Sequence, residues 1–530
     1  IMTDLKFILK LSSILLMVFI WNSCENDIEF TPNQNPLEFS KDTVFLDTVF
    51  TNIGSSTYSL KVYNNSNNNI VIPEIKLQNT NESFFRINID GIYENDGQNT
   101  YENIELLAND SLYVFIETTI DINQISTEQN SFIYEDKLQF INVNNTQNVH
   151  LVSLVKDAVF IFPNRELSGQ DYIYETLSFD IDGDGIADET NIRGRFLDQD
   201  ELVFNNDKPY VIYGYAAVSS GDELLIEKGS RIYFHSNSGF IITSGASLKA
   251  NGEFSENQNE LENEIIFEGD RLEPFFENIP GQWGTIWLMD GSVDNELSFC
   301  TIKNSTVGLY SSGGDTNSTY KLKLNNVKIF NSSNFGILGI STSIKAENLV
   351  INNSGQSSFA GTYGGKYNLN HSTISNYWNS GIRQFPSLLV NDFYVDSNQN
   401  EYTNNLFEVN ITNSIIYGNQ NIEFLVEKMG SDEMELNVAN SLIKFNDYNN
   451  YFENDINLDF SNQNYYEEIY QNLDPSFINE YQNDLRINQF SEVIGLGKEE
   501  FALETPLDML NIDRTLGPDI GAYQHVTVQD

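Results

Sequence analysis

The sequence predicts an all-β protein with two parts, a β-sandwich followed by a solenoid of stacked short strands. The composition is rich in Ile, Val, Tyr, Phe and Thr, and asparagine is frequent at turns. Short alternating segments fill the first third of the chain, and a repeat with a period in the low twenties fills much of the rest. With 40% hydrophobic residues, the 530-residue chain can bury sizeable cores.

The net charge excludes one large class of partner. The formal charge is −48 at pH 7, and the acidic residues are spread along the chain. A polyanion repels nucleic acid, and no basic face with interleaved aromatic residues is present in the sequence, so nucleic-acid binding is excluded. Strong acidity favours solubility and the binding of divalent cations.

The first 23 residues have the pattern of an export signal. Lys6 and Lys10 precede an apolar run from Leu11 to Trp21, which is too short to span about 30 Å of hydrocarbon as a helix. Ser23 followed at once by Cys24 resembles the lipobox of bacterial lipoproteins, in which the cysteine is lipidated and becomes the new N-terminus. The resemblance implies a lipid anchor at Cys24. An ordinary signal peptide with an incidental cysteine is the alternative.

The stretch after Cys24 predicts a location at the cell surface. Its sequence, ENDIE, resembles the surface-export signal of Bacteroidota lipoproteins, which implies an outer-membrane lipid as a partner through Cys24. Residues 24–38 are then a polar tether. The second cysteine, Cys300, stands in an alternating, strand-like segment and is expected to be a buried thiol.

Residues 39–162 predict the β-sandwich. About seven short alternating segments, among them DTVFLDTVF, YSLKVYNNS and DSLYVFIETTI, are separated by turn residues such as NNSNNN. This number of strands over about 120 residues is typical of an immunoglobulin-like sandwich. The order of the segments also resembles the immunoglobulin-like domains of Bacteroidota surface lipoproteins. No site is evident in this region, so we expect it to be a spacer or docking module.

A candidate calcium loop lies in the predicted linker, residues 163–203. The stretch DIDGDGIADE supplies oxygen ligands at alternating positions, with a glycine for the sharp turn. The candidate ligands are Asp180, Asp182, Asp184, the backbone carbonyl of Ile186, and Asp188. When Asp180 is counted as position 1, position 12 is Asn191 and not the bidentate glutamate of a helix-loop-helix calcium hand. The stretch instead resembles the loops of thrombospondin type 3 and dockerin-like repeats. The resemblance implies a structural Ca²⁺, and a solvated acidic cluster is the alternative.

Repeated units follow from residue 204. Aligned isoleucines lie 27, 22 and 23 residues apart, at Ile302, Ile329, Ile351 and Ile374. An asparagine stands two residues after each, at Asn304, Asn331, Asn353 and Asn376. We expect the aliphatic side chains to stack inward between rungs and the asparagines to form a hydrogen-bonded ladder at one corner. The leucines do not keep the spacing of a leucine-rich repeat.

These units resemble a right-handed parallel β-helix of the pectate-lyase-like class over residues 204–526. The segment NIDRTLGPDIGAYQ resembles the closing turns of secreted bacterial β-helix proteins, and we expect it to cap the last rung. The predicted fold class is therefore all-β, with an N-terminal immunoglobulin-like β-sandwich followed by a right-handed parallel β-helix solenoid.

The pectate-lyase-like class includes lyases and glycosidases, but a fold does not decide an activity. A glycosidase needs clustered carboxylates, and a lyase needs a lysine or arginine base. The strongest candidates are Lys366, His371 and Arg383, but the nearby sequence offers them no carboxylate partner. We therefore expect a non-catalytic surface lipoprotein that serves binding, adhesion or scaffolding toward glycans or other surface proteins. A surface polysaccharide lyase or glycosidase is the alternative.

Overall fold

The computed structural model describes residues 29–92, 99–125, 131–169, 171–180, 186–314, 319–431 and 434–525. The all-β prediction is confirmed, because strands dominate the described residues and the longest helix has six residues. The chain divides into two units between Lys156 and Asp157, and each unit is described by itself. No helix in the described ranges is long and apolar enough to cross a membrane.

The described residues of the first unit form ten strands and two short 3₁₀ helices. The helices are Thr80–Glu82 and Ile122–Gln124. The strands are β1 (Thr31–Pro32), β2 (Glu38–Phe39), β3 (Thr43–Phe50), β4 (Tyr58–Asn64), β5 (Ile70–Leu77), β6 (Phe85–Ile89), β7 (Thr100–Leu106), β8 (Asp110–Thr118), β9 (Ser131–Ile141) and β10 (Thr146–Lys156).

These strands form two sheets that share one core. One sheet has the order β1-β5-β9-β10-β3, with β7 also paired to β5, and the other has the order β2-β4-β8-β6. In β4, Leu60 and Val62 are fully buried and alternate with more exposed neighbours, as a strand with one buried face requires. Leu138 and Leu151 of the other sheet belong to the same buried cluster.

The part of the second unit that the structure describes contains the remaining strands, four 3₁₀ helices and one α-helix, α1 (Glu499–Glu504). The 3₁₀ helices are Gln199–Glu201, Pro274–Phe276, Ile456–Leu458 and Glu480–Gln482. The strands are β11 (Val159–Ile161), β12 (Arg165–Ser168), β13 (Asp171–Tyr174), β14 (Thr176–Phe179), β15 (Asp188–Phe196), β16 (Val203–Phe204), β17 (Tyr210–Ile212), β18 (Tyr215–Val218), β19 (Glu223–Glu227), β20 (Arg231–Phe234), β21 (Gly239–Ile242), β22 (Ser247–Asn251), β23 (Ile265–Gly269), β24 (Ile286–Leu288), β25 (Asn295–Lys303), β26 (Leu309–Ser312), β27 (Leu322–Ser332), β28 (Ile337–Ser354), β29 (Phe359–Asn370), β30 (Thr373–Asn376), β31 (Leu388–Asn391), β32 (Phe393–Val395), β33 (Glu401–Thr403), β34 (Leu406–Thr412), β35 (Ile415–Gly418), β36 (Phe424–Glu427), β37 (Glu435–Ala439), β38 (Leu442–Ile443), β39 (Tyr466–Glu467), β40 (Tyr470–Gln471), β41 (Phe477–Asn479) and β42 (Asp484–Ile487).

Most of these strands belong to one 26-stranded sheet in which pairing is nearly all parallel. Strands β17, β18 and β19 pair in parallel with β20, β21 and β22. The pairing register places Ile302 opposite Ile329, Ile329 opposite Ile351, and Ile351 opposite Ile374. All four side chains are fully buried in one continuous core, so the predicted alignment of the repeats is confirmed.

The predicted asparagine ladder forms at three of its four positions. Asn331 Nδ2 donates to Asn304 Oδ1 at 3.2 Å, and Asn353 Nδ2 donates to Asn331 Oδ1 at 2.7 Å. All three residues have positive φ, which asparagine tolerates better than most residues. The prediction is wrong at Asn376, whose side-chain amide bonds to the backbone of Ser354 instead. Asn376 Nδ2 donates to the Ser354 carbonyl at 2.8 Å, and the Ser354 N–H donates to Asn376 Oδ1 at 3.1 Å.

The C-terminal segment, residues 473–525, packs along the side of the large sheet. The backbone N–H of Gly521 donates to the carbonyl of Asn413 at 2.8 Å, and that of Ala522 donates to Thr373 Oγ1 at 3.0 Å. Further toward the start of the sheet, Asn348 Nδ2 donates to the carbonyl of Leu507 at 2.9 Å. The expected cap on the last rung is therefore too narrow a description, because the segment contacts several successive repeats.

Candidate functional site

The predicted calcium loop connects the two strands of a hairpin. Strands β14 and β15 are antiparallel, with Phe179 opposite Asp188. Asp180 directly follows β14 and Asp188 begins β15, so two predicted ligands flank the connection, and Ile186 is 70% exposed. Asp182 and Asp184 lie outside the described residues, as does Cys24. Among the residues that are described, no three His, Cys, Asp or Glu side chains gather as a metal site. The calcium site stays a prediction.

Lys366 lies on β29 and is paired with a carboxylate. It stands in register with Glu408 of β34, and its Nζ is 2.9 Å from Glu408 Oε2. The Nζ also lies 4.8 Å from the ring centroid of Tyr320, whose hydroxyl donates to the other oxygen of Glu408 at 3.2 Å. The hydrogen bond to Glu408 raises the pKa of Lys366, so the ammonium holds its proton and is a poor general base.

His371 is fully buried beneath the C-terminal segment. Its Nδ1 lies 2.7 Å from Arg514 Nη1 and 3.2 Å from the carbonyl oxygen of Gly521, and its Nε2 lies 2.9 Å from Asn413 Nδ2. Burial, reinforced by the Arg514 cation, holds the pKa of His371 well below its usual range. The imidazole is therefore neutral and enclosed, and it joins the C-terminal segment to the sheet.

Arg383 forms a buried ion pair. Its Nη2 lies 2.6 Å from Glu423 Oε1 and its Nη1 lies 2.8 Å from Oε2, and the two side chains are 2% and 0% exposed. The guanidinium also donates to the carbonyl of Phe385 and to Asn419 Oδ1, both at 2.8 Å. Its two Nη groups are thus directed at protein groups and away from solvent.

The three candidates do not form a catalytic group. No hydrogen bond joins any two of them within the described part of the chain, and each is held by partners distant in sequence. Sequence reasoning missed both carboxylates, Glu408 and Glu423. The pairing of Lys366 with Glu408 comes from the strand register of the structure, which the local sequence around Lys366 does not contain.

A cluster of three tyrosines, Tyr363, Tyr394 and Tyr402, is a surface feature that sequence reasoning also missed. Tyr394 and Tyr402 face each other across the β32–β33 hairpin and stack, with ring centroids 4.8 Å apart and planes 13° apart. Tyr363 of β29 meets Tyr394 edge-on at 4.9 Å. Tyr394 and Tyr402 are 46% and 41% exposed, so this tyrosine cluster presents aromatic surface to solvent.

The β32–β33 hairpin, which carries Tyr394 and Tyr402, is held at both ends by aspartates. At its turn, Asp396 Oδ1 accepts the backbone N–H groups of Asn398 and Asn400, both at 2.8 Å. The side-chain amide of Asn400, together with these bonds, holds the pKa of Asp396 below its usual range. At its base, the buried Asp392 accepts the N–H groups of Met429 and Gly430, both at 2.8 Å. The aromatic surface is therefore preorganised.

A histidine–aspartate pair forms a second surface feature on earlier repeats. His235 Nδ1 lies 2.7 Å from Asp270 Oδ2, and the ring of Tyr213 stacks on the imidazole with centroids 4.4 Å apart. The three residues follow β17, β20 and β23, which are neighbours in the sheet. The His235 side chain is 46% exposed. An imidazole held by a carboxylate and open to solvent can exchange protons with a bound molecule.

The chain matches no protein-family model and no curated protein sequence. The solved structures that are similar to parts of it include the following two. A family 123 glycoside hydrolase from Clostridium perfringens, studied for glycolipid glycan hydrolysis, is 9% identical with a TM-score of 0.16, and the match covers 24% of this chain and 30% of that chain. A PapD-like domain of human CEP192 is 10% identical with a TM-score of 0.15, over 24% of this chain and 92% of that chain. Similarities this weak carry no argument about function.

Proposed function

We propose that this protein is a cell-surface lipoprotein that binds glycans of low charge and catalyses no reaction on them. The observation that carries the proposal is the tyrosine cluster, an exposed and preorganised aromatic surface formed by the β32–β33 hairpin and β29. A pyranose ring has an apolar face and a rim of hydroxyls. A tyrosine offers a matching flat apolar ring and a polar tip.

The proposed fold is an immunoglobulin-like sandwich followed by a right-handed parallel β-helix. The two sheets around one core support the sandwich. The parallel pairing of each strand with a later one, the stacked isoleucines and the asparagine ladder support the β-helix. A right-handed coil follows from the strong preference for right-handed crossovers between parallel strands.

The electrostatics support a ligand of low charge. A formal charge of −48 repels an anionic polymer. The β32–β33 hairpin, which carries Tyr394 and Tyr402, adds the half-buried Asp396 and the exposed Glu401 and no lysine or arginine. The enclosed or ion-paired states of Lys366, His371 and Arg383 support a non-catalytic role, because none of them is poised to move a proton on a bound glycan.

The proposed anchor is a lipid on Cys24, with the protein exposed at the outer membrane. Its support is the lipobox-like sequence and the acidic stretch that follows it. Cys24→Ser should move the protein out of the membrane fraction of its host, as fractionation and immunoblotting would detect. Retention of the variant in the membrane fraction, with an uncleaved signal in the wild type as well, would contradict the anchor.

Binding to a panel of insoluble and soluble polysaccharides tests the proposed function. We expect retention on at least one neutral glycan, and we expect Tyr394→Ala or Tyr402→Ala to abolish that retention. Tyr451→Ala is the matched control, because Tyr451 is 80% exposed and lies outside the tyrosine cluster. Equal retention of all three variants would show that the tyrosine cluster is not the binding surface.

The alternative function, a polysaccharide lyase or glycosidase, is favoured by one observation, the pair of His235 and Asp270. It predicts that wild-type protein releases unsaturated products, detected by ultraviolet absorbance, or reducing ends from a panel of uronate and neutral glycans. It also predicts that His235→Gln abolishes this release without changing glycan binding. The binding proposal expects no release by either protein.

A further inference from the structure

A cavity of about 230 Å³ lies between the large sheet and the C-terminal segment, and none of the described residues that line it belongs to the tyrosine cluster. Lys328 of β27 contributes one wall and Arg486 of β42 another. Gln258 and Asn259 line it from the loop before β23, and Met509 and Tyr523 line it from the end of the chain. The cavity therefore exists only because the C-terminal segment returns along the sheet.

The charges at this cavity are already paired. Lys328 Nζ lies 2.9 Å from Glu264 Oε2 and 3.0 Å from Oε1, and Glu264 is 4% exposed. Arg486 makes a two-pronged contact with Asp484, at 2.7 Å from Nε and 2.6 Å from Nη2. The cavity thus presents hydrogen-bonding groups without an uncompensated charge that would select an ion.

Tyr523 is the second observation that points to a ligand. It lines the cavity and is only 9% exposed, yet its hydroxyl makes no hydrogen bond to any residue in the described ranges. The side chain is buried as a whole, but its hydroxyl oxygen is not sealed from solvent, so it is open to a hydrogen bond with a bound molecule. Burial, with Asp484 and Glu264 nearby, raises the pKa of Tyr523, so the hydroxyl keeps its proton and can donate as well as accept.

We propose that this cavity binds one neutral pyranose residue, with the Tyr523 hydroxyl as a direct partner of a sugar hydroxyl. Each sugar hydroxyl both donates and accepts, which suits a lining that alternates amide, guanidinium, carboxylate and phenol groups. Met509, Leu510 and the Tyr523 ring offer apolar surface for the ring carbons. The inference rests on the proposed function for its ligand class, but it concerns a separate site.

Titration of the full-length protein with single sugars tests the inference. The probes are methyl α-D-glucopyranoside, methyl β-D-galactopyranoside, N-acetyl-D-glucosamine and, as the anionic comparison, sodium D-glucuronate, followed by saturation-transfer NMR. We expect at least one neutral sugar to bind, and Tyr523→Phe to raise its Kd by roughly 3- to 10-fold. Thermal melting should not fall in Tyr523→Phe, because the lost hydroxyl has no partner in the described structure.

Two controls separate this inference from the proposed function. Tyr481→Phe changes a tyrosine of the same segment that does not line the cavity, and it should leave the Kd unchanged. The double variant Tyr394→Ala with Tyr402→Ala should lose polysaccharide binding and keep single-sugar binding. The inference is overturned if no neutral sugar binds at tens of millimolar, if glucuronate binds best, or if Tyr523→Phe binds as tightly as the wild type.

Discussion

Replacing Arg383 with methionine should strongly destabilise the second unit. Arg383 and Glu423 are almost wholly buried and joined by two hydrogen bonds of 2.6 and 2.8 Å. The substitution preserves much of the side-chain volume and removes the cation. The Glu423 carboxylate then loses its paired cation and accepts hydrogen bonds only from neutral donors, namely the N–H groups of Gln420 and Ser387 and the Ser387 hydroxyl, with the Lys444 ammonium as the remaining nearby positive charge.

The magnitude follows from what remains around Glu423. Breaking a buried pair by removing one partner costs about 3–5 kcal/mol, because an uncompensated charge stays buried. The three remaining donors place the expected loss near the lower end of that range. Adding Glu423→Gln removes the orphaned charge, so the double variant should be more stable than the sum of the two single changes predicts, by about 2 kcal/mol.

Urea unfolding followed by tryptophan fluorescence measures this loss. The signal reports on the second unit, which contains Arg383, because Trp283, Trp287 and Trp378 all lie in it. Lys228→Met is the matched control. It breaks the exposed pair with Glu253, whose side chains are 50% and 61% exposed, and should cost less than about 1 kcal/mol. A loss from Arg383→Met no larger than that of the control would refute the reasoning.

Three further predictions concern the loop, the buried histidine and the ladder. A hundredfold excess of Ca²⁺ over Kd should stabilise the protein by about 2.7 kcal/mol, and Asp182→Ala with Asp184→Ala should remove the gain. Calorimetry with Ca²⁺ and with chelator would reveal it, and identical curves would indicate an ordinary acidic loop. Below about pH 6.5, His371 takes up a proton in the unfolded protein, whereas the buried imidazole of the folded protein stays neutral. The free energy of unfolding should therefore fall as the pH drops below this value, by up to about 1.4 kcal/mol per pH unit. His371→Gln should flatten this slope. A slope equal in both proteins would contradict the enclosed, neutral imidazole. Asn353→Asp should cost about 1–3 kcal/mol, because the ladder loses a donor and gains a charge, and an unchanged melting temperature would mean that this corner is solvated.

The repeats were predictable from the sequence because aliphatic residues recur at the same position in each. The period stays between 22 and 27 residues as far as Ile374, which made the isoleucine alignment and the first three asparagines of the ladder visible. The next residue in register is Ile416, a step of 42 residues. The β32–β33 hairpin lies within that longer step.

The long step also explains why the sites were not predictable. Lys366 and Glu408 are neighbours only when the inserted hairpin is looped out, so local sequence offered Lys366 no carboxylate. Tyr363 meets Tyr394 because the inserted hairpin packs against β29, a contact that the local sequence does not show. The packing of Arg514 against His371 bridges 143 residues, a tertiary contact that no periodicity encodes. Asn376 left the ladder because the backbone of Ser354 offers its amide both a donor and an acceptor.

Calorimetric titration of a bound neutral glycan into the wild-type protein and into the double variant Tyr394→Ala with Tyr402→Ala tests the central claim most directly. Removing a stacked pair of anchors at the centre of an interface costs more than about 1.4 kcal/mol, so the double variant should bind at least about tenfold more weakly. Tyr451→Ala should bind like the wild type. Glycan binding that is equal in the double variant and the wild type would contradict the claim that the tyrosine cluster is a glycan-binding surface.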